Sequence, residues 1–316
     1  MKRSSRSLKR VLACLAVLIL WLPGRLAAQD PVSVPDVQVA VPDVQRVGQG
    51  LDRHAQAILQ QAVEAVEAVT SLTAKIRQRV SVEGESLVGS GAYQQATYGD
   101  DCLFRLDLTI ALGDQFATLI QVGDGRFVWT YRVTPDPTQP VAGVETIDLP
   151  MRSEMTRVDL NEVRRQKGAT EILAFGGLPH TLRQITRNYT MESATKTQLQ
   201  GLPVWSLQGK RKPQPEDPEE ELSSADKYPD RLPEWIVLLV GQDDLLPYRI
   251  EFRNRPPASG DVDEDEGAAE REFTVAMDFF EVQIGAKIDP RAFAFQPRDH
   301  RVEDTTGEFV EQSNPR

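Results

Sequence analysis

The sequence predicts an α+β fold, a strongly curved antiparallel sheet wrapped around short helices. Three observations carry this expectation. Apolar and polar residues alternate through about nine segments, the period of a half-buried strand. One early segment repeats its apolar residues at three- and four-residue spacing instead, as a surface helix does. Several short helical stretches interrupt the strands in mid-chain. A sheet this long does not stay flat, because strand twist accumulates across it.

The chain opens with a basic leader, Lys2, Arg3, Arg6, Lys9 and Arg10, followed by an unbroken apolar run from Val11 to Leu22. Pro23 and Gly24 end the run, and Leu26-Ala27-Ala28 offers a cleavage site. The run falls short of the ~20 apolar residues of a membrane span, so residues 1–28 read as a signal peptide for export to the periplasm. Cys14 lies inside the apolar run, not after it, which argues against lipid attachment. Past the leader only Cys102 remains, so no internal disulfide is expected.

Six basic and no acidic residues lie in the leader, so the formal charge of −11 becomes about −17 beyond Ala28. That balance argues against nucleic-acid partners, which need a basic face. Ten of the acids sit in two short clusters, 216–221 and 261–266, within the loops 213–233 and 256–270. In the second, Asp261 to Glu272 has the acidity of a calcium loop, but Glu266 stands where the sharp turn needs glycine, so a solvated loop is expected.

Residues 29–50 are Pro-rich and read as an extended tether. Leu51, Ala55, Ile58, Ala62, Val66 and Val69 form one stripe of a helix. Leu72, Ala74, Ile76, Val80 and Val82 then alternate with Thr73, Lys75, Arg77, Arg79 and Ser81. Phe104, Leu106, Leu108, Ile110 and Leu112 share one strand face, and Phe116, Thr118, Ile120 and Val122 share one on the next. Gly123-Asp124-Gly125 predicts a hairpin, and Phe127, Trp129 and Tyr131 place three rings on one side of the strand after it. Short helices are expected over 158–165, 169–175 and from Pro179 to Arg187. Strands resume at 188–199, 202–210, 235–240, 248–252 and 273–279, and the tail from 311 to 316 reads as disordered.

This order resembles the LolA/LolB lipoprotein-carrier family. The residues that carry the resemblance are Gly89-Ser90-Gly91-Ala92-Tyr93, the strand Phe104-Arg105-Leu106, and Gly123-Asp124-Gly125-Arg126-Phe127-Val128-Trp129-Thr130-Tyr131. Phe280-Glu281-Val282-Gln283-Ile284, Ile288-Asp289 and Phe293-Ala294-Phe295-Gln296-Pro297 complete it near the end. The resemblance spans residues 51–310 and implies an unclosed β-barrel whose mouth is plugged by helices. It also implies an apolar cavity for acyl chains. The residues assigned to that cavity are Phe104, Leu106, Leu108, Phe116, Ile120, Phe127, Trp129, Tyr131 and Phe279. The competing reading is that these rings simply fill the core.

No catalytic or metal motif stands out. His54, His180 and His300 lack metal spacing, and no nucleophile or phosphate-loop pattern occurs. The expected function is therefore a non-catalytic, cofactor-free and metal-free periplasmic carrier of lipid or lipoprotein acyl chains. It would act as a monomer that meets a membrane donor or acceptor. The alternative is an envelope-stress sensor that uses the same fold to bind a membrane signalling partner.

Overall fold

The computed structural model describes residues 50–82, 85–99, 101–112, 115–135, 150–165, 177–212, 233–255, 273–295 and 301–308. The leader, the tether up to residue 49, the expected helix 169–175, the bulk of both acidic loops and the tail lie outside the described residues.

Helix α1 (Gly50–Ala68) leads into six strands: β1 (Ser71–Val82), β2 (Glu85–Tyr98), β3 (Asp101–Leu112), β4 (Gln115–Gly123), β5 (Phe127–Pro135) and β6 (Met151–Asp159). Helices α2 (Leu160–Arg165) and α3 (Gly177–Asn188) follow. Then come β7 (Tyr189–Leu199), β8 (Leu202–Arg211), β9 (Trp235–Gly241), β10 (Pro247–Arg253) and β11 (Phe273–Ile284). A 3-10 turn, Pro290–Phe293, precedes the short β12 (Val302–Asp304).

All twelve strands join one sheet in the order β12-β6-β5-β4-β3-β2-β1-β11-β10-β9-β8-β7. Every pairing is antiparallel except β12 with β6. β7 and β12 are left as edges, so the sheet does not close into a barrel. It does curl, and a simple length argument shows it. Seven inter-strand steps separate β3 from β7 in that order, which would span ~34 Å across a flat sheet. Helix α3 touches both strands. Its 12 residues make a rod of only ~18 Å. The two strands must therefore approach each other across a concave face, and α1 and α3 lie on that face.

The apolar stripe of α1 is the reason it lies there. Ala55, Ile58, Leu59, Ala62, Val63 and Val66 are all buried, and they belong to one core with Leu182 and Ile185 of α3. An exposed ion pair, Arg183 to Glu67 at 2.8 Å, links the two helices.

The helix expected from Val158 starts later. Val158 and Asp159 still pair with Val128 and Phe127, so β6 runs to Asp159. The Asp159 carboxylate then accepts hydrogen bonds from the backbone N–H groups of Asn161 (2.8 Å) and Glu162 (3.3 Å), the geometry of a helix N-cap. An aspartate that caps from the end of a strand sets the boundary two residues beyond the apolar pattern.

Candidate functional site

Residues directly opposed in an antiparallel pair share a sheet face, so the register maps the concave surface row by row. On β3 it carries Phe104, Leu106, Leu108 and Ile110. Gln95, Tyr93, Gly91 and Gly89 oppose these on β2, and Leu72, Ala74, Ile76 and Gln78 oppose those on β1. Phe279 of β11 opposes Ile76 and faces the same way. Beyond β11, Ile250, Leu238 and Leu207 continue the surface to β8. Phe104, Leu108, Ile76, Phe279, Leu238 and Leu207 are all buried.

Helix α3 meets this surface at its first turn. Gly177 has φ +74°, a backbone state that glycine adopts without strain. A Cβ there would come 2.9 Å from the Tyr93 hydroxyl and 3.3 Å from Phe104 Cβ. The Leu178 N–H donates to the Tyr93 hydroxyl at 2.8 Å, and that hydroxyl donates to Gln95 Oε1 at 2.7 Å. Burial, and secondarily the nearby Cys102, hold the Tyr93 pKa well above its ordinary value, so the phenol stays neutral. On α1, His54 packs edge-on against Trp205 of β8, with ring centroids 5.2 Å apart. The helical cover thus rests on an apolar floor through few directed bonds.

The nine expected cavity residues divide between two faces. Phe104, Leu106, Leu108 and Phe279 lie on the concave side. Phe116, Ile120, Phe127, Trp129 and Tyr131 lie on the opposite side, which corrects the expectation that all nine share one surface. The reason is the parity of the β3–β4 turn. Leu112 opposes Gln115, so Phe116 opposes Ala111, while Ala117, Leu119 and Gln121 oppose the apolar row of β3. The β4–β5 hairpin keeps that assignment, placing Val122 against Trp129 and Ile120 against Tyr131. Phe116 is 59% exposed.

On the outer face the rings hold the C-terminal segment. Asp124 Oδ1 accepts from the backbone N–H groups of Arg126 (2.9 Å) and Phe127 (2.6 Å), and Oδ2 accepts from Trp129 Nε1 (2.9 Å). Trp129 so fixed stacks on Phe295 at 6.1 Å, and Arg157 lies over Phe127 at 5.1 Å. Arg105 donates to the Ala292 carbonyl at 3.2 Å. Further along, Arg157 pairs with Asp304 at 3.0 Å beside the β12–β6 pairing. Residues 290–295 and 301–304 are strapped across the outside of the sheet by these contacts.

The concave side also holds polar groups that apolar alternation did not flag. Gln78, Gln95, Gln121 and Gln184 are 0–3% exposed. Gln78 Oε1, Gln95 Nε2, Gln121 Nε2 and Gln184 Oε1 have no hydrogen-bond partner among the described residues. Each such atom costs roughly 1–3 kcal/mol while it stays unpaired. The available signal was glutamine at apolar parity, as Gln78 stands between Ile76 and Val80. Cys102 is a free, partly buried thiol whose pKa burial raises to about 11. No group of three or more potential metal ligands occurs among the described residues.

No protein-family model matches the chain, and no curated protein matches it. Solved structures similar to it include a putative outer membrane lipoprotein-sorting protein domain from Vibrio parahaemolyticus. That match has 9% identity, covers 77% of this chain and 97% of the other, and has a TM-score of 0.33. The lipoprotein LppX from Mycobacterium tuberculosis matches at 12% identity, covering 75% of this chain and 98% of its own, with a TM-score of 0.31. The MucA/MucB complex from Pseudomonas aeruginosa matches at 12% identity over 77% of this chain and 61% of the other, with a TM-score of 0.37.

Proposed function

We propose that this protein is a non-catalytic periplasmic binding protein for the acyl chains of lipids or lipoproteins, and that the concave face of the sheet is its binding surface. The observation that carries this reading is the separate helical layer over an apolar floor. Apolar contact is non-directional and contributes ~0.8 kcal/mol per buried methylene. A hydrocarbon chain can therefore replace the side chains of α1 and α3 on the floor at similar free energy. The directed ties that such a chain must break include the Leu178–Tyr93 hydrogen bond, the Met191 N–H to Gln56 Oε1 at 3.4 Å, Lys212 Nζ to the Thr186 carbonyl at 3.0 Å and the exposed Arg183–Glu67 pair between the helices.

In this account the sheet stays rigid and the helices swing. Twelve strands hydrogen-bonded into one sheet supply the rigidity. Phe104, Leu106, Leu108 and Phe279 form the centre of the surface. The basic leader and apolar run of residues 1–22 support delivery to the periplasm.

Titration with a fluorescent fatty acid, together with mass spectrometry of lipids extracted from freshly isolated protein, tests the reading. Saturable uptake and a co-purifying acyl lipid are expected. Absence of both sinks it.

A further inference from the structure

The concave face changes character toward β6, and it does so in register. Gln121, Thr130 and Thr156 oppose one another across β4, β5 and β6. Two residues further along the strands, Leu119, Arg132 and Glu154 do the same. Gln121 and Arg132 are therefore diagonal neighbours, ~7–8 Å apart at their backbones and within reach of one another's long side chains. Gln121 is 3% exposed, and its Nε2 has no hydrogen-bond partner among the described residues.

Arg132 is poorly matched. Its side chain is 13% exposed, yet its closest carboxylate approach among the described residues is Glu154 at 3.7 Å, too long for a hydrogen bond. Glu154 is held more closely by Arg152, at 2.8 Å. One carboxylate thus serves two guanidiniums. Desolvation lowers the Arg132 pKa, which Glu154 only partly counters. The patch has a surplus of donors and of positive charge, and both are satisfied by an anionic oxygen group.

An apolar row leads away from it. Arg132 opposes Leu119, Leu119 opposes Leu108, Leu108 opposes Gly91, Gly91 opposes Ile76, and Ile76 opposes Phe279. Gly91 brings no side chain to the row, and the β3 backbone at Asp107 closes over it.

We propose that Arg132 and Gln121 seat the anionic head, carboxylate or phosphate, of an acyl amphiphile whose hydrocarbon lies along Leu119, Leu108 and Phe279. This rests on the acyl-binding reading above and adds to it a ligand class and a direction. Guanidinium and amide donors hold the head oxygens where the sheet is polar, and the chain runs toward β11.

Calorimetric titration of the purified protein with oleate, methyl oleate and oleoyl lysophosphatidate tests this. The first two share a chain and differ in charge. Oleate is expected to bind about tenfold or more tighter than methyl oleate, the size of a charge-assisted hydrogen bond. Arg132→Met should remove that preference. Gln121→Leu should weaken oleate binding while keeping the protein folded, because it removes an unpaired amide. Tighter binding of the lysophosphatidate than of oleate identifies phosphate as the head, and the reverse order identifies carboxylate. Equal binding of oleate and methyl oleate by the unaltered protein overturns the head-group assignment while acyl binding stands. Binding of none of the three overturns both. The comparison on the unaltered protein holds whether or not the variants fold.

Discussion

Gly123→Ala is the sharpest probe of the register that divides the aromatic residues between two faces. Gly123 opposes Phe104, and a Cβ built on it would sit 2.3 Å from Phe104 Cε1, 2.5 Å from Cδ1 and 3.2 Å from Cζ. Carbon atoms rest ~3.5–4.0 Å apart, so the ring would have to move by about an ångström or more. It has little space to do so. Phe104 is 2% exposed, and the first turn of α3 lies over it, with the Gly177 Cβ position 3.3 Å from Phe104 Cβ. Overpacking of this kind costs ~1–3 kcal/mol. Phe104→Leu removes the clashing ring atoms, so the double variant should be more stable than the two single effects predict, with a coupling of ~0.5–3 kcal/mol. Urea unfolding of the four proteins measures it. Strictly additive effects, or a neutral Gly123→Ala, would refute the placement of Phe104 over Gly123 and the face assignment with it.

Other expectations follow from the same contacts. Tyr93→Phe removes the hydroxyl between Leu178 and Gln95, and should destabilise the protein by ~1–3 kcal/mol with faster amide exchange at the start of α3. Cys102, with its pKa raised from 9.0 to about 11, should react with a disulfide reagent near pH 8 ~100-fold more slowly in the native protein than in denaturant. The Asp304 carboxyl is held below its ordinary value, first by the Thr306 hydroxyl at 2.6 Å and then by Arg157. A carboxyl depressed in the folded state stabilises it above the unfolded pKa and loses that effect as pH falls through the folded one. Protease cutting near β12 should therefore rise only below about pH 4, with Asp304→Asn already susceptible at neutral pH.

Much of the fold is legible because strand period and helix period differ. The α1 stripe and the alternations of β1 and β3 fall on residues that the structure buries: Ile58 and Ala62, Leu72 and Ile76, Phe104 and Leu108. The curl is legible too, since a long sheet with one dry face has to bend around its cover. What alternation lacks is an absolute face. Phe116 and Ile120 alternate as well as Ala117 and Leu119 do, and the bulkier pair drew the assignment. The turn decides the matter, through Leu112 against Gln115. The aromatic strand after the Asp-Gly turn was misleading for a related reason. Its rings are half-buried, Trp129 being held by the nearby Asp124 and set against Phe295, a contact far away in sequence. The polar patch at Gln121 and Arg132 was invisible, because a glutamine at apolar parity gains meaning only when its neighbours on adjacent strands are known.

Quenching of single-tryptophan variants by a brominated fatty acid tests the central claim most directly, because it reports which face the chain occupies. Trp205 stands on the concave side against His54, and Trp129 on the outer side against Phe295. A protein with Trp205 as its sole tryptophan should be quenched saturably, and one with only Trp129 should not respond. Quenching of Trp129 with Trp205 unaffected would contradict the account.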